Sequence, residues 1–267
     1  MTDRRQPLNR AVLSRLAGTG PWTAVTVHEA IDSTNAEVAR LARAGAAGGC
    51  VVTAEHQSAG RGRADRGWFS PPRAGLAVSV LLRPTVAPAR WSWLPLLAGV
   101  ALAEAVTEVT GVDAALKWPN DLLLTESGYK AAGILAEVVD GAVALGMGVN
   151  VTLTRPELPR PDTTSLELAG AKELDRTVLL SGLLHRLGRR YLRWHAAGGD
   201  PDISRLRHDY RQRCHTLGRV VRVELPDGDR VDGTAVDVDG DGRLVVETDG
   251  GRVPVAAGDV HHVRWRH

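Results

Sequence analysis

Residues 130–151 have the sequence KAAGILAEVVDGAVALGMGVNV. Two mostly apolar runs, 130–139 and 142–151, are joined by Asp140-Gly141, a dipeptide that favours the two-residue turn of a β-hairpin. The runs therefore predict two antiparallel strands within a sheet. Lys130 stands alone at the mouth of the first apolar strand, either as an edge residue that faces water or as a ligand for a phosphate or carboxylate.

The segments around this hairpin alternate between strand and helix patterns. Strands are predicted at 22–27, 50–54, 76–82 and 116–124, the last interrupted by Pro119, and helices from Ser33 to Gly45, over 91–109, from Asp175 onward and over 203–213. Beyond Cys214, short alternating strands are separated by Asp-Gly turns, which is typical of a small β-barrel. We therefore predict an α+β fold with a mixed or antiparallel sheet. Its parts are an N-terminal arm (1–20, a short helix or a loose segment), a large domain (21–214) and a β module (215–267).

The bulk composition excludes several classes of protein. Apolar residues make up 43% of the 267-residue chain, which is enough for a core and argues against disorder. A net charge of +2 is too small for the whole surface to bind nucleic acid, so any basic site is local. The sequence has no run of 18 apolar residues and no apolar N-terminal segment, and its two cysteines lack CxxC spacing. These features predict a cytoplasmic protein with no membrane partner.

A long stretch without a helix or strand pattern, 55–75, contains Gly60-Arg61-Gly62-Arg63. Glycine lets a backbone approach an anion closely, and the planar guanidinium group matches a carboxylate or phosphate. A solvated flexible loop or an RGG-like nucleic-acid segment is the alternative, although a single copy inside a globular chain disfavours the second. Only three of the 33 basic residues are lysines, and two of them, Lys117 and Lys130, stand in motifs. The pattern indicates chemistry on anions.

Three further motifs differ in weight. Lys117-Trp118-Pro119-Asn120-Asp121 places a cation, an amide and a carboxylate where Pro119 interrupts a strand, so that the side chains can face a cleft; an ordinary exit into a turn explains the same pattern. Gly146-Met147-Gly148 continues as a strand, unlike a dinucleotide-binding loop. Residues 237–242 resemble the start of a calcium loop, yet position 12 is Thr248 and the flanks are strands, which indicates a hairpin.

Together, the motifs resemble those of the biotin–protein ligases (biotin–[acetyl-CoA-carboxylase] ligases). The matching segments occur in the order of the family and cover most of 30–170: 33–35 (STN), 55–63 (EHQSAGRGR), 68–71 (WFSP), 117–121 (KWPND), 130–135 (KAAGIL), 146–150 (GMGVN) and 164–166 (TSL). The resemblance implies the catalytic fold that biotin and lipoate ligases share, followed by an SH3-like C-terminal domain. Twenty residues before the first strand are too few for a helix-turn-helix domain, so we expect the monofunctional type, with no DNA as a partner.

The resemblance also implies an activity. Members of the family activate biotin with ATP as biotinyl-5'-AMP and transfer it to a lysine of a biotin carboxyl carrier protein domain in a biotin-dependent carboxylase. We expect Mg²⁺ to accompany ATP, through ligands that the sequence does not identify. Because the first step joins two anions, fixed cations must offset their repulsion.

The same resemblance assigns roles to individual residues. It places biotin contacts at Ser33, Thr34, Asn35, Gln57, Gly60, Arg61, Gly62, Arg63, Lys130 and Gly133. It places ATP contacts at Arg61, Arg63, Arg66, Trp68, Lys117, Asn120, Lys130 and Asn150. Lys130, Arg61 and Asp121 are the implied catalytic residues, with Lys130 bridging the biotin carboxylate and the α-phosphate. We expect Asp121 to orient either the incoming carrier lysine or a magnesium ion.

Three alternative functions compete with this assignment. A lipoate or octanoate ligase or transferase shares the fold, but its pocket needs fewer polar groups than Ser33, Thr34 and Gln57 supply. A nucleic-acid-binding protein is disfavoured because the Asp-rich turns of the β module repel phosphate. A biotin-sensing repressor is disfavoured by the absence of a DNA-reading segment in this sequence.

Four residues depart from the family pattern. These residues are His56, Asp65, Tyr129 and Ala131, and we expect them to change the affinity for ligand without removing a charged group.

We expect the loop 57–75 to be disordered before ligand binds and then to order over the ligand, because an acyl-adenylate must be kept from water.

Overall fold

A computed structural model of the protein describes residues 5–64 and 66–263. Seven strands form the main sheet: Ala24–His28 (β1), Cys50–Ala54 (β2), Gly75–Leu82 (β3), Ala114–Lys117 (β4), Asp121–Leu124 (β5), Tyr129–Val139 (β6) and Ala142–Asn150 (β7). Their order is β1-β2-β3-β7-β6-β5-β4. β1 and β2 run parallel, whereas the other neighbours are antiparallel. The predicted mixed sheet of the α+β class is confirmed.

The hairpin formed by β6 and β7 lies in the middle of this sheet. Its register runs from Ala132 opposite Val149 to Val139 opposite Ala142. Asp140 and Gly141 in the turn have φ values of 46° and 67°. Two successive left-handed residues are what the tight turn between twisted antiparallel strands requires, which is why aspartate and glycine occupy it.

Five α-helices are present among the described residues: Arg10–Ser14 (α1), Thr34–Arg43 (α2), Trp93–Thr110 (α3), Arg176–Ala196 (α4) and Leu206–Arg213 (α5). The side chain of Asp175 caps α4, and Gly111, with φ of 73°, ends α3, as the sequence predicts. α5 begins at Leu206 instead of residue 203 because Arg205 adopts a left-handed φ of 61°.

The helix α3 is apolar and largely buried in the core. Of the described residues, the helical segment Pro88–Thr110 is the one that is long and apolar enough, by length and composition, to cross a membrane. Within the fold, however, 72% of its most apolar window is buried. It packs with α4 into the main core, so its apolar character is explained by the interior of the protein.

Alternation along the strands gives the sheet one core face and one face that is left open. Val80 of β3 and Leu145 and Val149 of β7 point into the core beneath α3 and α4. The intervening residues, including Ser79 and Gly148, point to the opposite face and line a cavity. α2 covers part of that face against a smaller apolar cluster, so the cavity lies beside the start of α2.

A second sheet follows the large domain. Its strands are Val220–Glu224 (β8), Arg230–Val238 (β9), Leu244–Thr248 (β10), Gly251–Val255 (β11) and Asp259–His262 (β12), in the order β11-β10-β9-β8-β12. β12 is not predicted from the sequence, because its four residues have no alternating apolar pattern and depend on pairing with β8. In the turn after β9, the carboxylate of Asp239 accepts hydrogen bonds from the backbone N–H groups of Asp241 and Arg243, which is the geometry of a hairpin turn.

The N-terminal arm is packed onto the large domain. Within it, the short helix α1 forms, and Leu8 and Leu13 are buried. The backbone N–H of Leu8 donates to Oε1 of Glu55 at 2.6 Å, and Glu55 pairs with Arg176 at 2.7 Å. The described part of the arm is therefore anchored instead of loose, while residues 1–4 of the predicted arm and 264–267 of the predicted β module lie outside the described residues. The boundaries at 20 and 214 stay predictions.

Candidate active site

A cavity of about 430 Å³ lies on the open face of the main sheet. It brings together the start of α2, the Gly/Arg loop, the ends of β4 and β5, and the open faces of β6 and β7. Of the residues predicted to form the site, those lining it are Ser33, Thr34, Asn35, Gln57, Arg61, Gly62, Arg63, Arg66, Trp68, Lys117, Asn120, Asp121, Lys130 and Gly133. Gly60 and Asn150 do not line it.

One end of the cavity is built from uncharged polar groups. The hydroxyl of Ser33 caps α2 by accepting from the backbone N–H of Ala36. The next residue, Thr34, donates its backbone N–H to Oε1 of Gln57 at 2.8 Å, and its hydroxyl lies 3.1 Å from the same oxygen. Ser33 and Thr34 are both buried. This end therefore offers hydroxyl and amide groups held in fixed positions, which suits a neutral ligand that both donates and accepts hydrogen bonds.

Two residues that the sequence analysis did not predict complete this polar end. Ser79 donates to Oδ1 of Asn35 at 2.7 Å, and Nδ2 of Asn35 donates to Oε2 of Glu137 at 2.7 Å. A Cβ atom at Gly146 would lie 2.2 Å from Oδ1 of Asn35, so a larger residue there would displace the Asn35 side chain. In the sequence, Ser79 is a single polar residue in an apolar strand. The alternation of side chains along β3 is the signal that places Ser79 on the cavity face, where Asn35 lies.

The Gly/Arg loop forms a tight antiparallel turn. Arg61 pairs with Gly67, and the backbone N–H of Trp68 donates to the carbonyl of Gly60 at 2.8 Å. A Cβ atom at Gly60 would lie 2.2 Å from the carbonyl oxygen of Trp68, so this glycine serves the turn and not the cavity wall. The described residues of the loop form this turn, while disorder of the loop before ligand binds stays a prediction; Asp65 lies outside the described residues.

Trp68 lies against the sheet. A Cβ atom at Gly148 would be 2.5 Å from Cε2 of its indole, and one at Gly133 would be 3.1 Å from Cζ3. The absence of side chains at these two positions therefore makes room for the ring. The Nζ atom of Lys130 lies 5.9 Å from the ring centroid. The glycines of the two central strands thus explain how an aromatic ring and a lysine come to share one wall.

Several cations of the cavity are paired with carboxylates. Nζ of Lys130 lies 2.6 Å from Oδ1 of Asp121, an arrangement that β5 and β6 create because they are neighbouring strands. Arg66 makes two hydrogen bonds of 2.9 Å to the carboxylate of Asp259, at the start of β12. Although burial alone raises the pKa of Asp259, the hydrogen bonds from Arg66 lower it below its usual value.

Arg63 and Lys117 differ from these paired cations. Among residues 5–64 and 66–263, neither has a carboxylate oxygen within 4.0 Å. Arg63 donates instead to the neutral Oδ1 of Asn120 at 3.1 Å. Burial lowers the pKa of both Arg63 and Lys117. Positive charge that is partly buried and not neutralised favours an anionic ligand.

The two asparagines predicted to contact ATP are placed differently. Asn120 lines the cavity, holds Arg63 and donates through Nδ2 to the carbonyl of Ile134 at 3.1 Å. Asn150 is buried and donates to the carbonyl of Thr164 at 3.0 Å. Its position behind the cavity wall fits a role in holding the segment after β7, and a direct contact of Asn150 with ATP stays a prediction that this position does not support.

The cavity has further walls that sequence reasoning did not find. The loop after β7 contributes Pro159, Arg160, Asp162 and Thr163, and β12 contributes Asp259, Val260 and His261. Backbone hydrogen bonds from Lys130 to Asp162 and from Thr164 to Lys130 attach that loop to β6. These residues come from irregular segments and from the second sheet, so no local pattern identifies them.

Comparisons with known proteins agree with this geometry. A profile of the biotin/lipoate A/B protein ligase family matches residues 27–153, and a profile of the biotin protein ligase C-terminal domain matches residues 216–263. The biotin–[acetyl-CoA-carboxylase] ligase of Mycobacterium tuberculosis is 44% identical over 99% of this chain and 100% of its own length. The chain belongs to the biotin–protein ligase family.

Other members of the family confirm the breadth of the match. The bifunctional ligase/repressor BirA of Bacillus subtilis is 31% identical over 87% of this chain and 72% of its own length. The structure of the biotin protein ligase from Aquifex aeolicus in complex with biotin and ATP is 27% identical, with a TM-score of 0.76, and covers 91% of this chain and all of that one. The predicted family and its fold, with an SH3-like C-terminal part, are confirmed.

Proposed function

We propose that the cavity carries out both half-reactions of a biotin–protein ligase. The chain is an ATP-dependent enzyme of the biotin ligase family, so the predicted enzyme class is confirmed. In the first half-reaction, a biotin carboxylate oxygen attacks the α-phosphorus of ATP, and the bond to pyrophosphate breaks. In the second, a lysine amine of a carrier domain attacks the carbonyl of biotinyl-5'-AMP, AMP leaves, and the amine loses its proton.

The observation that carries this proposal is the division of one cavity into two chemical halves. Its polar end presents the neutral groups of Thr34 and Gln57, which suit the ureido ring of biotin. Its other end presents Arg63 and Lys117, which have no described carboxylate partner. A molecule with a neutral hydrogen-bonding ring at one end and a carboxylate at the other fits this arrangement of groups. Its carboxylate would lie beside the cations that also hold phosphate.

Lys130 stands where the two anions would meet. Its ammonium group is at the cavity wall, held by Asp121 at 2.6 Å and close to Trp68. We propose that Lys130 turns from Asp121 towards the carboxylate and α-phosphate as negative charge accumulates there. Lysine suits this task because its compact charge sits on a mobile stem.

Asp121 would then be free for the second half-reaction. Once Lys130 binds the phosphate, the Asp121 carboxylate can accept a hydrogen bond from the incoming carrier lysine and orient its amine. An Asp121→Asn enzyme should therefore lose more activity in transfer of biotin from preformed biotinyl-5'-AMP than in pyrophosphate exchange. The two rates are measured separately, and equal losses would contradict the transfer role.

A magnesium ion fits the cavity only as a companion of the nucleotide. Residues 5–64 and 66–263 contain no group of three or more histidine, cysteine, aspartate or glutamate side chains that could hold a metal. Magnesium commonly keeps several waters and is bound by one or two carboxylates together with phosphates. Asp121 and Asp162 line the cavity and are the candidates for such a contact; the ion itself would neutralise phosphate charge.

The carrier and the compartment follow from the same proposal. The acceptor is a biotin carboxyl carrier protein domain of a biotin-dependent carboxylase. The cavity opens to the surface, as a protein-borne lysine requires. We place the enzyme in the cytoplasm, which is consistent with the free thiols of Cys50 and Cys214.

Pyrophosphate exchange tests the proposal against its nearest rival. Labelled pyrophosphate should enter ATP in the presence of magnesium and biotin, but not when lipoate or octanoate replaces biotin. Exchange with lipoate alone would assign the protein to lipoate ligation. Folded protein that gives no exchange with any of these acids would leave only a binding role.

A further inference from the structure

One carboxylate behind the cavity wall contacts two residues that line it. Oε2 of Glu137 accepts from Nδ2 of Asn35 at 2.7 Å, and Oε1 lies 3.3 Å from Nη1 of Arg61. Glu137 itself does not line the cavity. The same side chain therefore connects the polar end, which contains Asn35, to the Gly/Arg loop, which contains Arg61.

The strand β6 explains why a glutamate reaches both residues. Gly133, Leu135 and Glu137 alternate onto the face of the sheet that α2 partly covers. Opposite Glu137 in the register of β7 is Ala144, whose small side chain leaves room beside α2. A side chain with two carboxylate oxygens at this position can extend one oxygen to α2 and the other to the loop.

The contact with Arg61 leaves that arginine able to bind an anion. A guanidinium group has five N–H donors, and Glu137 contacts only Nη1. The side chain of Arg61 is 55% exposed, so without a partner it would sample many rotamers. Because ordering a long side chain costs conformational entropy, a carboxylate that holds one edge of Arg61 prepares the other edge for ligand.

We propose that Glu137 is a positioning residue that couples the polar end of the cavity to Arg61. A ligand that fixes Asn35 also fixes the Glu137 carboxylate, and this carboxylate then holds Arg61 towards the acid group of the same ligand. The inference rests on the proposed function, since the ligand that spans both ends is biotin.

A double-mutant cycle for biotin binding tests the coupling. Asn35→Ala, Arg61→Gln and the double variant are compared in the wild-type and Glu137→Gln backgrounds. Glutamine has the shape of glutamate but only one acceptor oxygen, so it cannot serve both partners. We expect the dissociation constant for biotin to rise about tenfold in Glu137→Gln. The effects of the Asn35 and Arg61 changes should deviate from additivity by about fivefold in the wild type and be additive in Glu137→Gln.

A matched control separates this role from a structural one. Glu247→Gln removes a strand glutamate that pairs with Arg252, also at 3.3 Å, in the second sheet. It should leave biotin binding and the coupling unchanged. If Glu137→Gln does not fold, Glu137→Asp provides the second test, because its side chain keeps the charge but is one methylene too short to reach both partners. It too should abolish the coupling.

The outcomes distinguish the inference from the function on which it rests. Coupling that persists in the Glu137→Gln or Glu137→Asp background, or additive effects in the wild type, would overturn the role of Glu137 while leaving the ligase assignment intact. Wild-type protein that neither binds biotin nor exchanges pyrophosphate would overturn both. Loss of coupling in the Glu137 variants, with unchanged thermal stability, supports the inference.

Discussion

Arginine has opposite tasks in two regions of this molecule. Between α3, α4 and α5, Arg190 donates to Glu104 through Nε and Nη2 and to Asp209 through Nη1 at 2.9 Å. Burial alone lowers the pKa of Arg190, but the hydrogen bonds that it donates to these carboxylates outweigh this effect and raise the pKa. In the cavity, the guanidinium group of Arg63 donates to the neutral Asn120 and has no carboxylate oxygen within 4.0 Å among the described residues, and burial lowers its pKa.

The difference separates structural from functional charge. At Arg190 the protein supplies its own carboxylates, so no attraction for an external anion remains. At Arg63 and Lys117 the protein partly buries positive charge without a described carboxylate partner, which costs stability and favours a ligand with negative charge. Residue type alone therefore does not identify the site; the partners of each cation do.

The largest expected effect comes from the lysine at the junction of the two ligand halves. Lys130→Gln should lower biotin-dependent pyrophosphate exchange by about 10²- to 10³-fold, because a donor that meets charge developed in the transition state is lost. The remaining lysine outside the motifs, Lys172, provides the control: Lys172→Gln should exchange at the wild-type rate. Similar losses in both variants would mean that Lys130 acts only through general charge.

Substitution of Arg190 should lower stability, whereas substitution of Arg63 should weaken ligand binding. Arg190→Gln should lower the free energy of unfolding by about 3 kcal/mol, since it leaves Glu104 and Asp209 without their shared partner. Its exchange rate per folded molecule should not change. Arg63→Gln should raise the KM for ATP or biotin about tenfold with little loss of stability. Urea unfolding measures the stability of both variants, and steady-state pyrophosphate exchange measures their KM. A stable Arg190→Gln variant with a raised KM, or an unstable Arg63→Gln variant with an unchanged KM, would contradict the comparison.

The pair that joins the second sheet to the Gly/Arg loop should have a smaller effect. Asp259 of the second sheet holds Arg66 of the Gly/Arg loop across 193 residues of sequence. Because both side chains are 40–49% exposed, Asp259→Asn should make tryptic cleavage in the loop only roughly threefold faster. Asp232→Asn, which removes a comparable exposed partner from Arg222, is the control. Equal cleavage rates in the two variants would show that Asp259 does not hold the loop.

The smallest effect concerns Glu157 and the loss of folding stability at acid pH. Hydrogen bonds, first from Arg5 and then from Thr154, lower the pKa of Glu157 from 4.5 to about 2. Between pH 4.5 and about 2, the Glu157 carboxyl is therefore protonated in the unfolded chain and ionised in the folded chain. Its contribution to the stability of the fold is complete above pH 4.5 and is lost as the pH falls towards 2. Glu157→Gln should differ from the wild type in urea midpoint at pH 6 and converge with it near pH 2. A difference that is independent of pH would contradict this account.

The sequence predicts the fold better than it predicts the walls of the site. The Asp140-Gly141 turn and the caps at Asp175 and Gly111 are local, so each is visible in a few neighbouring residues. Asn35 and Glu137, by contrast, meet over 102 residues of sequence. β12 is formed by pairing with β8 rather than by its own pattern. Partners that only the tertiary fold brings together leave no periodicity to detect.

Motif residues show the same limit in another form. The resemblance implies ligand contacts for Gly60 and Asn150 because they stand in motifs, and these contacts stay predictions. In the structure, neither residue lines the cavity. Gly60 lies against the Trp68 carbonyl in the turn, and Asn150 donates a buried hydrogen bond to Thr164. Ser79 and Glu137 were missed because single polar residues in apolar strands do not form a motif. Strand alternation, applied to β3 and β6 together, places both on the face that carries the cavity.

Trapping the intermediate tests the central claim most directly. The protein is incubated with biotin, magnesium and ATP labelled at the α-phosphate, separated from free nucleotide, and then given a carrier domain. We expect about one labelled AMP group to be retained per active site as biotinyl-5'-AMP, and labelled AMP to be released when the carrier is added. Label retained equally without biotin, or no retained label with biotin, would contradict the claim that this cavity joins the two anions.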